Sequence, residues 1–240
     1  MISDYSKYKN HGWGLSKLAF EKLSNIMSII IKESKNLDIL EFGSGISTEF
    51  LLDNIILNDW ADISSITSFD NDQEYMYKIK DESLTKILKI HKRDLLECTD
   101  NNYEKMFSSK TYIPKYMDKQ VTSLNTRQKN CFYNILPSDL DNKYNLVILD
   151  GPHGNGRNIS FLRFKDSIIF PCYVLIDDIT HYDFEERFLS IFNADLLFKN
   201  IMKISFLDKT LSKFSAIKKE EISPWYKGGD FAIYKINSLI

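Results

Sequence analysis

Asp38-Ile39-Leu40-Glu41-Phe42-Gly43-Ser44-Gly45-Ile46-Ser47-Thr48-Glu49-Phe50-Leu51-Leu52 carries two hydrophobic patterns, one on each side of a Gly-Ser-Gly junction. Residues 37–42 are a short, mainly apolar run with an acid near its end, the pattern of a buried parallel strand. Residues 47–57 have the apolar spacing of a helix. Glycines at such a junction let a ligand approach the main chain closely, where the following helix offers unpaired N–H groups. The stretch therefore predicts a nucleotide-type cradle. A dinucleotide fingerprint would place a third glycine at position 48, where helix and strand pack tightly; Thr48 stands there, which weakens a nicotinamide-dinucleotide reading.

On the C-terminal side, residues 63–70 read as a second strand ending in Phe69-Asp70-Asn71-Asp72. An acid at this strand tip is what a Rossmann-type site uses to accept hydrogen bonds from ribose hydroxyls. Asp70 also suits the N-cap of a helix over 73–79, a role compatible with ligand binding. Residues 87–91 predict a third strand, followed by Asp94 and Glu97.

Two further runs deliver acids to the same sheet edge. Leu146-Val147-Ile148-Leu149 leads into Asp150-Gly151-Pro152-His153 and on to Arg157, and Tyr173-Val174-Leu175-Ile176 leads into Asp177-Asp178 and His181. Ligands of open α/β sheets bind at the carboxyl ends of the strands. Converging carboxylates repel one another unless protonated or bound to a cation, and hard oxygen donors suit magnesium. Taken alone, Asp150 and Asp178 equally suit helix caps, and His181 a supporting loop position.

Glu41-x-Gly43-x-Gly45-x-Ser47-Thr48 resembles the first motif of the class I S-adenosylmethionine-dependent methyltransferases. The resemblance covers about residues 37–236. It implies a Rossmann-like three-layer α/β fold, with a mostly parallel seven-stranded sheet, helices on both faces and an antiparallel last strand. It also implies that S-adenosyl-L-methionine binds across Glu41, Gly43, Gly45, Ser47, Thr48, Asp70 and Asn71, with Asp94, and less directly Glu97, near the adenine. Asp150 with the Asp177-Asp178 pair resembles the metal-dependent O-methyltransferases of antibiotic-sugar and catechol type. That resemblance implies Mg2+ or another divalent cation on Asp150, Asp177 and Asp178, and His153 of Asp-x-x-His as general base beside Asp150. The expected acceptor is a hydroxyl of a sugar or other small polar metabolite. A metal lowers a hydroxyl pKa, and a histidine titrates near neutrality. Arg157 is either an anchor for a carboxylate or phosphate on the acceptor or a structural residue. Trp13, between Gly12 and Gly14, is either a packing anchor or a cover over the ligand.

The 240 residues are expected to form one domain, with an N-terminal helical cap over 1–36 and an insert or lid over 98–143. Ser16 is the expected N-cap of a helix over 17–32. The insert lacks clear periodicity and is locally basic and tyrosine-bearing, so methylation of RNA or protein stays open as an alternative, beside a plain solvated lid. A non-catalytic methyltransferase-like binding module is the other alternative. A helix over 185–197, a strand over 199–207 and a last strand over 230–236 complete the expected order. With 31 basic and 33 acidic residues, no global field would hold nucleic acid or an anionic membrane. Cys98, Cys131 and Cys172 are widely spaced, which argues against a disulfide framework or a zinc site. No signal peptide or membrane span is legible, and a soluble cytoplasmic protein is expected. Oligomeric state is not readable.

Overall fold

A computed structural model describes residues 4–9, 14–121, 129–140, 142–201 and 229–240. Its centre is a seven-stranded sheet in the order β3-β2-β1-β7-β8-β10-β9. These strands are β1 (Leu37–Phe42), β2 (Ser64–Asp70), β3 (Leu88–Lys92), β7 (Tyr144–Leu149), β8 (Ile168–Asp177), β9 (Phe192–Asn200) and β10 (Phe231–Leu239). The neighbours from β3 to β8 pair in parallel, and β10 is antiparallel to both β8 and β9. The strand order reverses between β1 and β7, which opens a crevice at their carboxyl ends. This is the Rossmann-like, mostly parallel seven-stranded sheet with an antiparallel last strand that the motifs implied.

Both faces of the sheet are covered, because successive strand side chains alternate between them. Leu37 and Ile39 of β1 join one core with Ile66, Leu146, Ile148 and Leu175, beneath α1 (Lys17–Ser34) and α2 (Ile46–Leu57). Leu40 and Phe42 join the other with Phe69, Val147, Leu149 and Val174. That second core is closed by α3 (Asp100–Ser108), α4 (Ile159–Phe164) and α5 (Phe184–Ile191). As expected, Ser16 caps α1, its Oγ accepting from the Ala19 N–H at 3.2 Å. Lys35, in the left-handed conformation, ends that helix. None of the described helices is long and apolar enough to cross a membrane.

Three expectations are corrected. Residues 73–79 are a turn at 73–75, a bend at 76 and irregular chain after it, not a helix. Asp70 and Asp72 accept from the main-chain N–H groups of Asp72 and Glu74, and such local bonds compete with helix formation. The helix expected over 185–197 ends at Ile191, and the chain passes directly into β9, held by its ladder to β10. Positions 202–207 of the expected strand lie outside the described residues. The insert, expected to be irregular, contains α3 and the two outer strands of a small antiparallel sheet in the order β5-β4-β6, whose central strand lies just before it. This sheet comprises β4 (Leu95–Glu97), β5 (Lys119–Gln120) and β6 (Cys131–Tyr133). Strands this short carry no periodicity of their own; their pairing is made across the chain. Gly156 locks this sheet to the main one, since a Cβ there would lie 1.9 Å from the carbonyl oxygen of Cys131.

Candidate active site

At the crevice between β1 and β7 the two strand ends are strapped together. The N–H groups of Asp150 and Gly151 both donate to the Phe42 carbonyl, at 2.9 and 2.7 Å. Gly43 has a φ of +100°, and a Cβ there would lie 2.9 Å from the Gly151 nitrogen. Only glycine meets both demands.

The cradle rests on a buried polar post. Glu41 is fully buried, and its Oε2 accepts from Thr48 Oγ1 and Ser68 Oγ, each at 2.6 Å. Thr48 Oγ1 in turn accepts from the Gly45 N–H at 3.0 Å. Burial pushes the Glu41 carboxyl up to about 7 against the pull of these hydrogen bonds, and its Oε1 has no partner among the described residues. Glu41 and Thr48 thus lie beneath the cradle and do not line the cavity above it. Their expected role as direct donor contacts becomes one of shaping the loop.

The cavity over this floor has a volume of about 510 Å3. Gly43, Gly45 and Ser47 line it from β1 and α2, and Asp70, Asn71 and Asp72 line it from the tip of β2. Asp70 is buried, and burial raises its pKa although the backbone N–H groups of Asp72 and Asn71 oppose the shift. Asp94 does not belong to this group. It is exposed, accepts from Gln120 Nε2 at 3.0 Å and lies outside the cavity wall, because the chain turns into the small sheet directly after β3. Glu97 is paired with Lys119 at 2.5 Å. Trp13 lies outside the described residues.

The opposite wall brings together Asp150, His153, Arg157, Asp177, Asp178 and His181. Asp150 and Asp177 hydrogen-bond each other, and burial raises both, Asp177 the more strongly because Asp150 and Asp178 stand beside it. Two carboxyls buried side by side in this way disfavour ionising together. Asp178 adopts a positive φ of 56° and stands 3.4 Å from His181 Nδ1. His153 and His181 are exposed at the rim.

Arg157 is only 3% exposed. Its Nε, Nη1 and Nη2 donate to the carbonyl oxygens of Pro152, Asp177 and Asp150, at 3.2, 2.9 and 2.9 Å. Three of its five N–H groups are thus committed to main-chain carbonyls, which fixes the guanidinium in place. It ties the loop after β7 to the end of β8. The expected divalent-cation site is not formed: among the described residues, no group of three or more His, Cys, Asp or Glu side chains is placed to hold a metal ion. The positive charge within the acid cluster is the guanidinium, 3.8 Å from Asp178 Oδ2.

Three lining residues carried no signal in the sequence. Asp230 opens β10 beside the wall, where it accepts from Thr180 Oγ1 at 2.5 Å. Tyr75 stands exposed at the β2 side. Tyr133, from the insert, is 1% exposed and reaches the cavity between the two strand ends; a Cβ on Gly151 would lie 2.5 Å from its hydroxyl. A strand of three residues in an aperiodic stretch does not reveal this placement; packing against Phe42 does.

No protein-family model matches the chain, and no curated protein matches it. Among solved structures, the one described as cmcI-N160 SAH is 14% identical with a TM-score of 0.39, covering 96% of this chain and 84% of that one. The plantazolicin methyltransferase BpumL in complex with SAH is 12% identical with a TM-score of 0.45, covering 97% and 88%. Likeness at this level says nothing about activity or ligand.

Proposed function

We propose that the chain is an S-adenosyl-L-methionine-dependent methyltransferase acting on a hydroxyl of a sugar or other small polar metabolite. The observation that carries this reading is one cavity lined by both the Gly43-Ser44-Gly45 cradle with Asp70 and the wall of Asp150, Asp177 and His153. Donor and acceptor therefore have adjoining places. S-adenosyl-L-methionine, when bound, supplies a methyl group already activated on a sulfonium, so that transfer to the acceptor oxygen breaks one carbon–sulfur bond and leaves the thioether.

The chain's own groups hold and orient. The glycines admit the donor close to the main chain, and Asp70 accepts hydrogen bonds from ribose hydroxyls. Asp150 accepts a hydrogen bond from the acceptor hydroxyl, and His153 takes up its proton and releases it at the open rim. No step of this reading is routed through magnesium, since among the described residues no group of three or more His, Cys, Asp or Glu side chains is placed to hold it.

Calorimetric titration with S-adenosylhomocysteine, in matched runs with EDTA and with magnesium, tests the proposal. Equal saturable binding in both runs is expected. No binding in either run would overturn the donor site, and binding only with magnesium would restore the metal.

A further inference from the structure

We propose that the hydroxyl of Tyr133 receives the methyl-bearing sulfonium of the donor, at the point where the methyl crosses to the acceptor. This rests on the methyltransferase reading above and adds to it a contact with the reacting group, supplied by the insert.

The state of the hydroxyl is the first ground. Tyr133 is all but fully buried and lines the cavity, yet its hydroxyl has no hydrogen-bond partner among the described residues. Buried hydroxyls are nearly always satisfied, so this one marks the place of a ligand atom. Its ring lies 6.3 Å from that of Phe42 at an interplanar angle of 11°, and 5.4 Å from that of Phe132 at 60°. Packed in this way, the hydroxyl is held in one place at the end of β1. Burial keeps the phenol neutral, and a neutral hydroxyl offers oxygen lone pairs to a donor.

Gly151 is the second, independent ground. It does not adopt the left-handed conformation, so its backbone does not call for glycine. Space does. A Cβ there would lie 2.5 Å from the Tyr133 hydroxyl, closer than to the Gly43 Cα and nitrogen at 3.0 and 3.1 Å. The missing side chain lets the hydroxyl reach the seam between the ends of β1 and β7. Gly43 opens the donor cradle on one side of that seam, and Gly151 follows Asp150 of the facing wall on the other. Asp70 and Asp150 both bear on the phenol electrostatically, one from each side. A methyl passing from donor to acceptor crosses here. The sulfonium draws electrons from its methyl, whose C–H groups then donate to an oxygen lone pair. The thioether left after transfer carries no such charge, so the contact favours the substrate donor over the product. The phenol keeps its proton throughout.

The test titrates the full chain, wild type and Tyr133→Phe, with S-adenosylmethionine, S-adenosylhomocysteine and sinefungin, which carries an ammonium where the sulfonium methyl stands. The wild type is expected to bind sinefungin about tenfold more tightly than S-adenosylhomocysteine, because an N–H donates to the hydroxyl. Tyr133→Phe should weaken sinefungin about tenfold and S-adenosylmethionine about threefold, while S-adenosylhomocysteine stays within about twofold. A purely structural role would move all three ligands together. Equal changes for the three, no change for any, a wild type without the sinefungin preference, or a variant that keeps it would overturn the proposal. No protein group needs the hydroxyl, so Tyr133→Phe should unfold at the wild-type denaturant concentration or above it. A destabilised or unfolded variant would reveal a protein partner for the hydroxyl and overturn the proposal too. Failure of the wild type to bind any of the three sinks the methyltransferase reading, and this proposal with it.

Discussion

Thr48 donates a 2.6 Å hydrogen bond from its hydroxyl to Glu41 Oε2, at the position where a dinucleotide-binding turn carries glycine. The same hydroxyl oxygen accepts the Gly45 N–H, so one side chain joins the cradle to the buried acid below it. Thr48→Val keeps the shape and removes both bonds. It should cost about 1–3 kcal/mol in denaturant unfolding, because the Gly45 N–H and Glu41 each lose a partner. Donor affinity should fall as well, and an unchanged S-adenosylhomocysteine affinity would show that the post does not shape the site.

Glu41 also predicts a pH dependence. Its folded pKa, raised to about 7, lies above the ordinary carboxyl value, so between about pH 4.5 and 7 the native state retains a proton that the unfolded chain has released. Stability therefore falls as pH rises through that window, by up to about 3 kcal/mol from this group. Unfolding curves at pH 5 and pH 8 should show a smaller difference for Glu41→Gln than for the wild type. An equal or larger difference would place the titration elsewhere.

Asp70 accepts its N–H bonds from the loop it belongs to, and its carboxylate faces the cavity. Asp70→Ala should weaken S-adenosylhomocysteine binding about 10- to 100-fold, as expected for loss of charge-assisted bonds to hydroxyls. Calorimetry reads this directly, and an unaltered affinity would remove Asp70 from the donor site.

His153→Ala should lower kcat on the order of 100-fold while leaving S-adenosylhomocysteine affinity intact. A wild-type rate would transfer the base to the Asp150–Asp177 pair.

Gly156 offers a test of how the insert is anchored. Gly156→Ala forces a methyl against the Cys131 carbonyl, at a position 1.9 Å from its oxygen. The variant should lose several kcal/mol, of the order of 3 or more, or fail to accumulate as folded protein, whereas Asn101→Ala on the surface of α3 should be nearly neutral. A folded Gly156→Ala with normal stability would mean that the small sheet is not pressed on this loop.

The order of elements and the strand ends that bear the site were legible in the sequence, because they depend on local pattern. An apolar run of four to six residues closed by an acid or a glycine announces a buried strand and its functional tip, as at Phe42-Gly43, Phe69-Asp70 and Leu149-Asp150. The capping serine of α1 was readable for the same reason, whereas the antiparallel pairing of the last strand was implied by the family resemblance.

What a side chain faces was not legible. Arg157 read equally as an anchor for a substrate anion or as a structural residue, and only the fold shows its guanidinium closing on three carbonyls brought together from two strand ends. Asp177 and Asp178 are neighbours in sequence, yet Asp177 is buried beside Asp150 while Asp178 turns toward His181. Tyr133 lay in a stretch without period, and its place beside Gly151 exists only through the pairing of β4 with β6 and the absence of a side chain at Gly156. Local sequence thus determined where the strands end and what chemistry they carry there. Tertiary structure alone decided which of those groups meet, because hydrogen bonding, burial and the coupling of carboxyls depend on distances between segments remote in the chain.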